Sequence, residues 1–334
     1  MTTNSFIRRA DSLARDGQPR TSSDKQGSKR VVYAGLASNL AITIIKLVVA
    51  IISGSSSMLA EFFHSTVDTG NSLLLLYGMK RSQRPADRGH AFGHGKELYF
   101  WSFVVAVSMF GVGAALSIWE GVSHIRRPEP ISDPTWSYVV LGFSAVFSLV
   151  SLVISLRETN RRKGSAGIFE FIRRSKDPTV FTVVLEDISD IAGQLIALVA
   201  IYLSIKLHNP IFDGIGSIGV GLVVLAVAVI LANESRGLLV GETAPFKDVE
   251  RMKQLLQNDP SVERVGDVLT MQLGPEDVLL NVEIEFQRDS CVDDLVKTIA
   301  RLEKRVQAEF PEVHRLFVEV ARLSRERKEQ PEVL

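Results

Sequence analysis

The stretch Glu61-Phe62-Phe63-His64-Ser65-Thr66-Val67-Asp68-Thr69-Gly70-Asn71, set inside an apolar run over residues 57–79, decides how this chain is read. A bilayer span takes roughly 20 mostly apolar residues, and this run is long enough. It nevertheless carries an imidazole and a carboxylate four positions apart, on one side of a helix. Ionisable groups in a bilayer are costly and usually face a partner, a cavity or an ion path. His with carboxylate is also a ligand set suited to zinc and neighbouring divalent metals.

Five further runs have span length: residues 31–53 (interrupted by Asn39 and Lys46), 98–119, 136–156, 179–205 and 212–232. The last closes at Asn233-Glu234, which predicts a six-helix transmembrane domain over 30–241. Lys46 and Glu61 are expected to snorkel or to make separate interhelical pairs, not to meet each other. Basic residues crowd the N-terminal stretch (Arg8, Arg9, Arg15), the loop after span two (Lys80, Arg81, Arg84, Arg88) and the loop after span four (Arg157, Arg161, Arg162). The positive-inside rule places these on the cytoplasmic side, although Arg126 and Arg127 run against it. Six spans then leave both termini in the cytoplasm, and a bacterial inner membrane is the expected location. Residues 1–29 read as a disordered tail rather than a cleavable signal, since no apolar h-region follows the basic start. Residues 325–334 read as a second tail.

Residues 242–324 have the patterning of a small α+β domain. A helical pattern runs from Pro245 to Gln257, a strand from Val262 to Leu273, and a turn over Gly274-Pro275-Glu276-Asp277. Val278, Leu280, Val282, Ile284 and Phe286 alternate with Asn281, Glu283 and Glu285, the period of a half-buried strand. An amphipathic helix over 292–310 and a strand from Leu316 to Leu323 complete the order α-β-β-α-β.

The chain of 334 residues balances 38 basic against 38 acidic residues, so bulk charge suggests no nucleic-acid partner. Its one cysteine excludes an intramolecular disulfide and a cysteine zinc cluster, leaving His, Asp and Glu to bind any metal. His64 and Asp68 can grip one ion together. Span five adds Asp187 and Asp190 three apart, and Glu186 and Asp190 four apart. The bland alternative is hydrogen bonding between helices. Asp87, His90 and His94 form a second candidate group in the loop after span two, either a metal site or a solvated turn. No His-Glu-x-x-His motif supports a membrane zinc hydrolase, while a metal sensor that does not transport remains open.

These features resemble the cation diffusion facilitator family, metal–proton antiporters that include zinc transporters, over about residues 31 to 323. The resemblance rests on His64-x-x-x-Asp68-x-Gly70, on Pro85-Ala86-Asp87-x-x-His90-x-Phe92-Gly93-His94-Gly95-Lys96, on the acidic span five ending in Gly193, and on the terminal α+β domain. The stretch Gly95-Lys96-Glu97-Leu98-Tyr99-Phe100-Trp101 looks closest to the branch with mitochondrial and nuclear members. The resemblance implies a homodimer in membrane lipid, with a ferredoxin-like, metallochaperone-like cytoplasmic domain. It implies efflux of Zn2+ in exchange for protons through a midplane site between spans two and five, with no organic cofactor. Two departures stand out. Where the family has His-x-x-x-Asp in span five, alignment on Gly193 puts the Asp at Asp187 and the His at Val183, which cannot ligate. Asp190, Glu186 or water is then the fourth ligand, and Asp190 is preferred because Glu186 points about 100° away from Asp187 on a regular helix. The carboxylate-rich set leaves room for Mn2+, Fe2+, Co2+ or Cd2+. In the terminal domain Glu283 and Glu319 stand where zinc-binding members carry His, and either bind metal or are ordinary strand-surface residues.

Overall fold

The computed structural model describes residues 39–129, 131, 134–163, 176–287 and 291–320. The tails expected over 1–29 and 325–334 lie outside the described residues. Helix α1 (Asn39–Ser53) and helix α2 (Ser56–Ser82) are joined only by Gly54, at φ 66°, and Ser55. So short a turn makes them antiparallel, and Thr43 Oγ1 accordingly donates to the Ser65 carbonyl at 3.2 Å. Helix α3 spans Glu97–Arg126, with a π-helical stretch over Met109–Ala114. Helices α4 (Pro134–Lys163), α5 (Pro178–Lys206) and α6 (Ile211–Val240) follow. Among the described residues, four helices are long and apolar enough to cross a membrane: α3, α4 over Pro134–Val153, α5 over Phe181–Lys206, and α6. Helix α2 has similar length, 27 residues, but carries the ionisable groups quoted above.

Apolar residues such as Ile51 and Phe143 point outward, 72% and 68% exposed, as a lipid-facing surface requires. Inside, small residues let helices approach. Gly121 of α3 lies against the Gly214 carbonyl of α6, where a Cβ would come within 2.5 Å of the oxygen. Helix α6 continues past its expected end at Asn233-Glu234 to Val240, because polarity ends a span without ending a helix. Gly241, at φ 115°, stops it in the left-handed conformation glycine adopts without strain.

The start of α2 is held from outside its own helix. Asp213 of α6 is fully buried and accepts from Ser55 Oγ at 2.9 Å, Ser56 N at 2.6 Å and Ser57 N at 3.3 Å. A carboxylate at free N-terminal amides satisfies donors that a helix leaves unpaired and suits the positive end of its dipole.

The terminal domain comprises α7 (Phe246–Gln257), β1 (Val262–Gly274), β2 (Asp277–Phe286), α8 (Val292–Glu309) and β3 (Val313–Val320). The sheet order is β1-β2-β3, with β1–β2 antiparallel and β2–β3 parallel. Val278, Leu280, Val282, Ile284 and Phe286 are buried against Met252 and Leu256 of α7 and Leu302 and Val306 of α8. Strand β3 begins earlier than the expected Leu316 because Val313 already pairs with Val278, and residues 321–323 lie outside the described chain.

This domain packs on the loop after α2. Gly95 abuts the Leu273 carbonyl, and Arg315 donates to the Phe92 carbonyl at 3.2 Å with its guanidinium 5.1 Å from the Phe92 ring centre. A side chain at position 95 would meet backbone that cannot yield. Gly95→Val is expected to part loop and domain, seen as faster protease cleavage over 241–245. Unchanged cleavage in a folded variant would show that this contact does not hold the domain.

Candidate metal centre

Helices α2 and α5 run side by side, and their polar residues meet at a cavity of about 290 Å³. On α2, Asp68 lines the cavity and His64, fully buried, stands behind it one turn earlier. From α5 comes Asp190. His64 Nε2 lies 3.7 Å from Asp68 Oδ2, and His64 Nδ1 lies 3.8 Å from Asp190 Oδ1. One ligand atom from each of the three falls within 4.8 Å of the others. His64 Nδ1, Asp68 Oδ1 and Asp190 Oδ1 are buried without a hydrogen-bond partner. Buried polar atoms are normally paired, so an orphaned atom on each of three neighbouring ligand-type side chains suits a cation.

Neighbouring residues orient His64 and Asp190. Ser189 Oγ is 3.3 Å from His64 Nε2, and Ser148 of α4 donates to Asp190 Oδ2 at 3.3 Å while accepting from Gln194 Nε2 at 3.1 Å. Such outer contacts fix a ligand's orientation and its affinity for metal. Glu186 faces α2, accepting from Asn71 Nδ2 at 2.9 Å, and with Asp187 it lines the same cavity. Asp187 and Asp190 share the cavity side as expected, whereas the expectation that Glu186 points away is revised. At 100° per residue Asp190 is about 40° from Glu186 and about 60° from Asp187, so it sits between them and slightly nearer Glu186. Val183 also lines the cavity, two helical turns before Asp190.

Lys46 and Glu61 correct a second expectation. Lys46 Nζ donates to Glu61 Oε2 at 2.9 Å, with both side chains at most 1% exposed. The signal was available: the residues stand eight before and seven after Gly54, so an antiparallel hairpin brings them to one depth.

The loop trio is also assembled. Asp87 Oδ2 is 3.0 Å from His94 Nε2, Asp87 Oδ1 is 3.3 Å from His90 Nδ1, and the His90 and His94 ring centres are 4.1 Å apart. Asp87 Oδ1 also accepts from Gly89 N at 2.8 Å and His90 N at 2.7 Å. The bond to His94, then the backbone donors, hold the Asp87 carboxyl well below the usual carboxylate range. Because the pKa of Asp87 is lowered in the folded loop, its stabilising contribution is present above about pH 4, the unfolded value, and is lost as pH falls through the folded one. Amide exchange of Gly89 and His90 is expected to stay slow at neutral pH and to quicken in strong acid. Asp87→Asn should quicken it at all pH values, and equal protection in variant and parent would remove Asp87 as the organiser of the loop.

Glu283 and Glu319 are register neighbours on β2 and β3, with Glu319 exposed. Among the described residues, neither joins a group of three metal-ligating side chains. Gly266 packs against the Glu283 carboxylate.

Comparison with known proteins gives the family. A family model described as the cation efflux transmembrane domain matches residues 32–240. The chain is 32% identical over 282 residues to the mitochondrial proton-coupled zinc antiporter SLC30A9 of Homo sapiens, covering 84% of this chain and 49% of that protein. It is 31% identical to metal tolerance protein C4 of Arabidopsis thaliana, over 83% of this chain and 61% of the relative. With the cation-efflux pump FieF of Escherichia coli O1:K1 / APEC it shares 26% identity, over 84% and 89% of the two chains. The chain thus spans about half the length of the zinc antiporters it matches. It belongs to the cation efflux (cation diffusion facilitator) family, integral membrane proteins that transport metal cations and are not enzymes.

Proposed function

We propose that this chain exports a divalent cation, zinc first, in exchange for protons through the cavity between α2 and α5. The convergence of His64, Asp68 and Asp190, with ligand atoms within 4.8 Å of one another, carries this reading. Binding a cation needs neutral imidazole and ionised carboxylates, so loading releases protons and unloading takes them up. His64 is the natural acceptor, as imidazole changes charge near neutral pH. Glu186 or Asp187 supplies a further oxygen on the α5 side. Zinc suits a tetrahedral nitrogen–oxygen set, and the extra carboxylates admit Mn2+, Fe2+, Co2+ or Cd2+. The names of the human relative, a proton-coupled zinc antiporter, and of the bacterial relative, a cation-efflux pump, support cargo and direction. The topology of this reading has six spans, both termini and the α+β domain on the cytoplasmic side, and two copies forming a dimer.

Zinc uptake into proteoliposomes after a pH jump tests it. Zinc should move against a proton gradient and stop when the gradient is collapsed; binding without flux would favour a sensor instead.

The loop trio is auxiliary in this scheme, because Asp87 and His90 are exposed and ions reach them from solution. A His90→Ala/His94→Ala double variant should keep more than about half of the parent flux, as a solvated, non-obligatory site would allow. Complete loss of flux in a folded double variant would put the loop on the essential path.

A further inference from the structure

The buried pair Lys46–Glu61 takes no part in the scheme above, although its Lys46 end borders the same cavity. Lys46, Ser65, Asp68 and Asp190 all line that space. The Lys46 ammonium donates to Glu61 Oε2 at 2.9 Å and to Ser65 Oγ at 2.8 Å. Glu61 Oε1 is buried without a hydrogen-bond partner and faces Gly193 of α5, where a Cβ would stand 2.6 Å from it and 3.6 Å from His64 Nδ1. The charged pair therefore sits directly beside the imidazole, three residues before it on α2.

We propose that Lys46 is a resident cation of the transport cavity that sets how tightly a divalent ion is held, with Glu61 as its built-in counter-charge. This rests on the reading that His64, Asp68 and Asp190 hold the transported ion. The physical need is plain. Glu61, Asp68, Glu186, Asp187 and Asp190 bring five carboxyl groups to one region, and each one that is ionised strengthens the hold on a divalent ion. Conduction and transport require a site attractive enough to load and weak enough to empty. A fixed ammonium in the cavity wall lowers the cation affinity of such a cluster without occupying a ligand position. A unit charge a few ångström away, under the screening typical of protein interiors, changes affinity by about tenfold or more. Were the pair only a staple between α1 and α2, apolar replacements would leave metal affinity alone and alter stability only.

The test is calorimetric titration of the full chain in nanodiscs with zinc alone, beside thermal unfolding of the same samples. Lys46→Met should bind zinc about tenfold or more tightly and release it more slowly in flux assays, by the same charge argument. Glu61→Gln frees the ammonium to compete and should bind zinc more weakly by a similar factor. Lys46→Met/Glu61→Leu restores the charge balance and should lie near the parent. Opposite shifts in the single variants support the proposal, since a staple would move both the same way in stability and neither in affinity. If Lys46→Met does not fold, the comparison of Glu61→Gln with the double variant decides, and equal affinities there overturn the proposal. Asp68→Ala separates the two readings. Lost zinc binding in Asp68→Ala with unmoved affinities in the Lys46 and Glu61 variants sinks only this proposal, whereas parent-like binding in Asp68→Ala sinks the site reading and this one with it.

Discussion

Asp68→Ala and Asp190→Ala are each expected to abolish zinc flux while leaving a folded protein. Each carboxylate reaches the one buried imidazole from a different helix, at 3.7 and 3.8 Å, so removing either opens the ligand set on one side. Loss of an outer partner of a metal ligand already costs about 10–100-fold in affinity, and loss of the ligand itself should cost at least the upper end of that range. Folding should survive, because both side chains leave an oxygen without a partner in the parent, and alanine relieves that burden. Zinc-dependent flux in proteoliposomes, with size-exclusion profiles as the folding control, gives the answer. Flux near the parent level in either variant would remove that residue from the site.

The second large effect concerns selectivity. Glu186 lies one turn before Asp190 and faces α2, where it accepts from Asn71. Exchanging that carboxylate for an imidazole gives α5 a His-x-x-x-Asp pair and a softer site. Glu186→His should therefore raise the zinc-over-manganese flux ratio by about tenfold, since imidazole favours zinc while carboxylate oxygens suit manganese. Val183→His, one turn further back and 39% exposed, should shift the ratio much less. A larger shift from Val183→His would mean that alignment on Gly193 is the better guide to the ligand face. Parallel uptake of the two metals under one pH gradient measures both variants.

Much of the helical layout was legible because it follows from local pattern. The apolar runs mark α3 to α6, and the alternation from Val278 to Phe286 marks β2 with its buried face correctly assigned. The partnership of α2 and α5 was legible as well, since bilayer-length segments rarely carry so many ionisable groups. What escaped depended on angle or on distance along the chain. Glu186 was placed too far round α5, because Asp190 falls between Glu186 and Asp187 on the helical wheel and all three line the cavity. Lys46 and Glu61 meet because a two-residue turn equalises their depth. The contacts of Arg315 with Phe92 and of Asp213 with Ser56 join segments more than 150 residues apart, where periodicity says nothing.

The Asp213 grip on Ser55, Ser56 and Ser57 bears on how α2 can be displaced at all. Three bonds to one buried carboxylate resist both sliding and unwinding at that end, whereas the other end, at Lys80 and Arg81, meets the polar loop. Helix α2 is thus a rod clamped at one tip. Tilting moves each point in proportion to its distance from the clamp, so Asp68 travels farther than His64, and Lys80 farther than both. A small angle at Ser56 becomes a measurable stroke where the loop begins, with His64 and Asp68 riding at intermediate leverage.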